Sequence, residues 1–263
     1  MELHGGMIAD AYRHESFSNF DQCWRAIYRA EVASTMTRTQ SVRSLWRTTI
    51  GKKAVMAITG LLLMAFLIAH MLGNLKVFLG SGEFDHYASW LRTIGEPALP
   101  YSWFLWIQRV VLLVAVVLHF TAALQLSVRD RRARPVGYVH GQRARASFAT
   151  RTMRYGGVIL ALFIVWHLLD LTVGAVHPAF DPESPYRNVV NDFQVWWINL
   201  IYLVAVVLLG IHVNHGFWSA SQTLGLNRPS RDKAIKVIGS TVAVVLTAGF
   251  ALVPLGVMTG LVS

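Results

Sequence analysis

Long apolar runs alternate with short polar, mostly basic segments along this chain. Five runs approach or exceed ~20 residues, enough to cross the hydrocarbon core of a bilayer. They cover roughly 54–78, 103–128, 155–176, 195–218 and 237–261. Each is too long for a strand, and in lipid only helices or closed barrels satisfy their own backbone. The pattern predicts an all-α integral membrane protein with five transmembrane helices, the first four forming an up-down bundle. Residues 1–50 are polar, lack the apolar core of a cleavable signal peptide, and read as a poorly ordered cytoplasmic segment. Residues 51–263 read as one membrane domain.

The segments between the runs differ from one another. In 80–102, Phe84, Tyr87, Ala88, Leu91 and Ile94 fall at helical spacing, which predicts a short amphipathic helix at the outer surface. In 177–194, Pro178, Pro182 and Pro185 predict irregular structure. The segment 129–154 is basic and holds Pro135 and Gly137.

The formal net charge of +10 raises nucleic acid as a partner, but the distribution of charge argues against it. Twenty of the 24 lysines and arginines precede the first run, lie between the second and third, or lie between the fourth and fifth. The exceptions are Lys76, Arg92, Arg109 and Arg187. This is the asymmetry that sets membrane orientation. It places the N-terminus in the cytoplasm and the C-terminus outside. Composition agrees, with 54% hydrophobic residues, 14% charged residues and a mean hydropathy of +0.44. Soluble domains carry about 25% charged residues. A single cysteine, Cys23, excludes an internal disulfide and any zinc or iron–sulfur site built from cysteines of this chain alone.

Chemistry is concentrated in the histidines. Of ten, His4, His14, His86, His140 and His177 lie outside the runs or at their edges. His70, His119 and His167 occupy the first three runs, and His212 and His215 the fourth. An ionisable group inside a span is a functional hypothesis by default. A lone histidine serves equally well as an interhelical hydrogen bond, but one on each of four successive helices is harder to explain that way. With alternating helices and about 1.5 Å of rise per residue, His70 and His167 fall toward the outside. His119 and His212 fall toward the cytoplasm. In an up-down bundle each pair faces across the core, which suits a flat macrocycle held by two neutral imidazoles, such as haem. A zinc or copper site would gather three or four ligands at one depth. A proton relay would use more acids, whereas Asp170 is the one acid well inside a span. The fifth run has neither histidine nor charge after Lys236 and reads as structural.

Three stretches, "MLGNLKVFLGSGEFDHYASWLRTIGEPALP", "FIVWHLLDLTVG" and "HVNHGFWSASQTLGLNR", carry a family resemblance. Over roughly residues 45–262 the chain resembles the single-chain, five-helix cytochrome b anchor of succinate dehydrogenase and fumarate reductase. The resemblance implies two b haems, a quinone of menaquinone type, and flavoprotein and iron–sulfur partner subunits on the cytoplasmic face of a bacterial inner membrane. It implies His70 with His167 as ligands of the outer haem iron, and His119 with His212 as ligands of the inner one. His212 is favoured over His215 because the family's fourth ligand lies thirteen residues before a glycine that ends the helix, here Gly225. His215 is then a contact for a haem propionate, a quinone or a partner subunit, or simply an interfacial polar tip. Arg109 is the outer propionate candidate, and Arg145, Arg151 and Arg154 are inner candidates or plain topology charges. Glu83, His86, Tyr87, Glu96 and Asp170 are the candidates for an outer quinone site.

The chain is therefore expected to anchor a succinate:quinone oxidoreductase and carry its electrons, without oxidising succinate itself. The alternatives are a cytochrome b anchor of a hydrogenase or formate dehydrogenase, or a haem-free transporter or anchor. Met36 offers a second start, and residues 1–35 lie outside the resemblance. A chain beginning at Met36 is expected to insert and bind haem as the full chain does. Loss of assembly, read from haem absorbance per protein in isolated membranes, would overturn this.

Overall fold

In a computed structural model, residues 46–133, 145–177 and 179–263 are described, with the side chains of 145–151 excepted. The segment holding Cys23 and Met36, the histidines His4, His14 and His140, Pro178, and the inner-loop residues Arg134, Pro135, Gly137 and Arg143 lie outside the described residues. So do the side chains of Arg145 and Arg151. The segment before Thr49 is a separate unit.

The unit from Thr49 to Ser263 is all helical among the described residues. Helix α1 (Thr49–Asn74) tightens into a 3-10 turn (Leu75–Leu79), and α2 (Ser81–Thr93) follows. Then come α3 (Trp103–Arg132), α4 (Arg145–Leu171), α5 (Pro185–Phe193), α6 (Trp196–Thr223) and α7 (Asp232–Met258). Among the described residues, five segments of 20 to 31 residues are long and apolar enough to cross a membrane: α1 with its 3-10 turn, α3, Thr152–Leu171 of α4, α6 and α7. The chain is thus consistent with a multi-pass membrane protein.

Their side chains point the same way. Leu162 is 67% exposed and Val244 66%. In water such faces would be aggregation patches; against lipid tails they carry no such cost. Cohesion between helices must then come from close packing, for which small residues at the contacts are suited. Ala115, Ala122, Ala205, Ala220 and Ala243 are all buried. Helix α6 packs closely against α7, α1 and α4, and α1 against α3, while α3 and α4 meet only sparingly.

The ends of the helices are set by local chemistry. The 3-10 turn stops at Gly80, whose φ of 91° lies in the left-handed region that glycine tolerates. Helix α6 ends at Gly225, with φ 71°. There the Gly225 amide donates to the Gln222 carbonyl and the Leu226 amide to the Ser221 carbonyl, the paired bonds of a Schellman cap.

The amphipathic helix expected in 80–102 is present as α2. The irregular structure expected across 177–194 is corrected by α5. Pro185 does not break a helix there. It sits at the helix start, where its missing amide costs nothing. Ser184 Oγ accepts from the Arg187 amide, and Asp85 of α2 accepts from the Tyr186 amide at 2.9 Å and the Ser184 hydroxyl at 2.8 Å. Helices α2 and α5 are tied together through this one carboxylate. They close over an apolar cluster that includes Val77, Phe84, Phe193, Tyr202, Val253 and Val257.

Candidate functional site

Two pairs of histidines meet between the long helices. His70 of α1 and His167 of α4 have ring centroids 6.0 Å apart, inclined at 74°. His119 of α3 and His212 of α6 have centroids 6.2 Å apart, inclined at 59°. Gly60 on α1 lies against His119, and Gly157 on α4 against His212. His70 and His167 are each ten residues further along those same helices, so the two pairs are layers separated by about 15 Å.

The surroundings decide which ring nitrogen is free. Thr59 donates its hydroxyl to the Val55 carbonyl at 2.7 Å. Its oxygen therefore accepts from His119 Nδ1, 3.2 Å away, as does the Met56 carbonyl at 3.0 Å. Two acceptors at Nδ1 put the proton there and leave the Nε2 lone pair available. The same logic holds in the other layer. Tyr202 donates to Asp170 Oδ2 at 3.3 Å, so its oxygen accepts from His167 Nδ1 at 3.0 Å. Metal-bound histidines are oriented in this way, by a hydrogen bond from the nitrogen that does not ligate. His212 Nδ1 is buried with no partner among the described residues.

Aromatic rings wall the first layer. Phe66 stacks on His70 at 5.2 Å and Phe163 on His167 at 5.8 Å, each one helical turn before its histidine. Phe250 of α7 closes the far side of His70 at 5.8 Å. The same Phe-x-x-x-His spacing, readable in the sequence, thus recurs on α1 and α4.

The donor set fits an axial-ligand role. Two imidazoles bound trans to one metal at about 2 Å hold their ring centroids about 6 Å apart. Both observed separations match that value. Among the described residues no three His, Cys, Asp or Glu gather as a tetrahedral metal centre would require.

The remaining candidates are scattered. His215 is half-buried beside Trp218, at 6.3 Å between centroids, and belongs to neither pair. Arg109 is exposed and stacks on Trp106 at 5.0 Å. Arg154 pairs with Asp130 at 3.3 Å. Glu83, His86 and Glu96 are exposed. Tyr87 packs on Gly73 beneath the Lys76 ammonium. Of the acids among these candidates, Asp170 is the one brought to a histidine pair, through Tyr202. Sequence reasoning missed Tyr202, His177 and Asp192. Tyr202 is a polar group in an apolar run, the kind of signal that could have exposed it; the other two lie in the segment read as irregular.

Comparison with protein-family models, curated proteins and solved structures returns no match.

Tyr202→Phe removes the acceptor for His167 and the donor to Asp170 together. An unsatisfied buried polar group costs about 1–3 kcal/mol, so this variant is expected to unfold at lower denaturant in detergent, by about that free energy. An unchanged transition midpoint would show that the hydroxyl does not organise His167.

Proposed function

We propose that this chain is the membrane anchor and electron-transfer subunit of a succinate:quinone oxidoreductase. It would bind flavoprotein and iron–sulfur partners at the cytoplasmic face and pass their electrons outward to a quinone of menaquinone type. One b haem would be held by His119 and His212, and the other by His70 and His167, within a bundle of the first four spans. The single observation carrying this proposal is the pair of imidazole layers at metal-bridging separation, with Nδ1 already engaged in His119 and His167. When bound, the haems supply one-electron carriers at the two depths.

The chain's own residues do the rest. Met56 and Thr59 set the orientation of His119, and Tyr202 that of His167. Phe66, Phe163 and Phe250 keep water from the His70–His167 layer. Asp170 polarises Tyr202 and so raises the donor strength of His167 at Nε2. The resemblance of the sequence to the succinate dehydrogenase anchors favours this function over an anchor for a hydrogenase or formate dehydrogenase. The same two layers favour both over a haem-free transporter.

Replacing His119 or His212 by alanine should remove one haem, and replacing His70 or His167 the other, as measured by pyridine haemochrome per chain. Loss of a haem in His215→Ala with both retained in His212→Ala would move the ligand on α6 to His215. Purification through a tag on this chain should bring down a flavin-bearing succinate dehydrogenase. A hydrogenase or formate dehydrogenase in its place would overturn the choice of enzyme.

A further inference from the structure

Beside the His70–His167 layer lies a buried pair of acids. Asp170, near the end of α4, and Asp192, near the end of α5, are each 1% exposed. Neither carboxyl oxygen of Asp192 has a hydrogen-bond donor among the described residues. The Asp170 carboxyl, itself an acceptor, is its acidic neighbour. Two carboxyl groups bond to each other only when one keeps its proton.

Among the described residues no lysine or arginine pairs with either carboxyl. His177 Nε2 is 3.5 Å from Asp192 Oδ1, and both its ring nitrogens have other partners. The Ala179 amide donates to Nδ1 at 3.1 Å, and Nε2 donates to the Asn188 carbonyl at 3.1 Å. From α6 the facing titratable group is Tyr202, which donates to Asp170. From α2 and α7 the packed groups are Phe84, Val253 and Val257. Asp85 of α2 is taken by Ser184 and the Tyr186 amide, and Arg187 of α5 is paired with Asp181 on the exposed side. Burial, with Asp170 beside it, holds the Asp192 carboxyl well above the usual carboxylate range.

We infer that Asp170 and Asp192 share one proton and act as a proton-transfer station for the quinone end of this chain, an assignment that rests on the function proposed above. Asp170 touches Tyr202, the partner of His167, and Asp192 sits beneath the loop that carries His177. Reduction of a quinone to the hydroquinone takes two electrons, supplied by succinate oxidation in the partner subunits, and two protons. The pair gives one proton at a time and is reloaded from the aqueous side, so it fills twice per quinone.

The test uses the intact complex. Infrared difference spectra on raising the pH should show loss of a protonated carboxyl C=O band at a pH above the ordinary carboxylate range. Asp192→Asn and Asp170→Asn should each abolish that band, and Asp192→Glu should keep it. Asparagine is close in shape to the neutral acid, so the fold should survive. Thermal stability supplies a second readout with a defined sign. The contribution of a raised carboxyl is complete below its unfolded value and is lost as pH climbs through the folded one. The native complex should therefore weaken toward alkaline pH, and Asp192→Asn should flatten that slope. In Asp192→Asn, quinone reduction should fall tenfold or more at alkaline pH and less at acidic pH. Succinate oxidation with a soluble dye should be unchanged. A native complex without the band at neutral pH, or an Asp192→Asn variant with an unaltered quinone pH profile, would overturn the inference. A chain lacking haem absorbance in the same samples would instead overturn the proposed function, and the band would still decide whether the pair shares a proton.

Discussion

Hydrocarbon offers no hydrogen-bond partner, and much of this chain follows from that constraint. A polar group placed in a span must be met by another group of the protein or bear the cost alone. Helix α1 meets His119 with a carbonyl and a threonine oxygen, and α6 meets His167 with a tyrosine. Each of these contacts ties two helices at a fixed rotation. Each also puts the ring proton on Nδ1 and turns the other nitrogen into a free donor. In the proposed function, the demand that satisfies the imidazole in lipid is the same one that prepares it as a ligand.

The constraint also explains where the fold is tight and where it is loose. Helices α6 and α7 have 39% of their apolar windows buried, against 11–17% in the other three spans. The α6–α7 contact is built on small residues, with Gly210 against Thr247, and Gly249 of α7 opens space for Met71 of α1. Helices α3 and α4 touch little, although each carries a histidine of a different pair. A bundle that takes up flat cofactors between its helices suits such an arrangement: rigid at the α6–α7 side, sparse where α3 and α4 adjoin the histidine layers.

The spans were legible because apolar length is a strong signal, and the structure differs mainly at their ends. Polar residues such as Lys52 and Thr223 extend helices that hydropathy alone would stop. The adjacency of His70 to His167 and of His119 to His212 followed from depth, since rise per residue is constant. Helix α5 was legible in part. Its proline was read as a breaker, although Ser184 before it is the N-cap and Pro185 stands at the helix start; the added contact from Asp85, about a hundred residues away in sequence, is not written locally. Asp192 was not legible: its importance arises from burial against Asp170, which no local pattern announces. Arg109, suggested as a propionate partner by its place at the start of a span, is exposed and stacks on Trp106, three residues before it.

The central claim is that the two histidine layers each hold a haem through both imidazoles. Low-temperature electron paramagnetic resonance on the oxidised, purified native chain addresses it most directly, combined with iron and haem quantitation. Two haems per chain with exclusively low-spin signals, as six-coordinate bis-imidazole iron gives, is the predicted result. A stoichiometry other than two, or a high-spin signal from an iron with one histidine ligand, would contradict it.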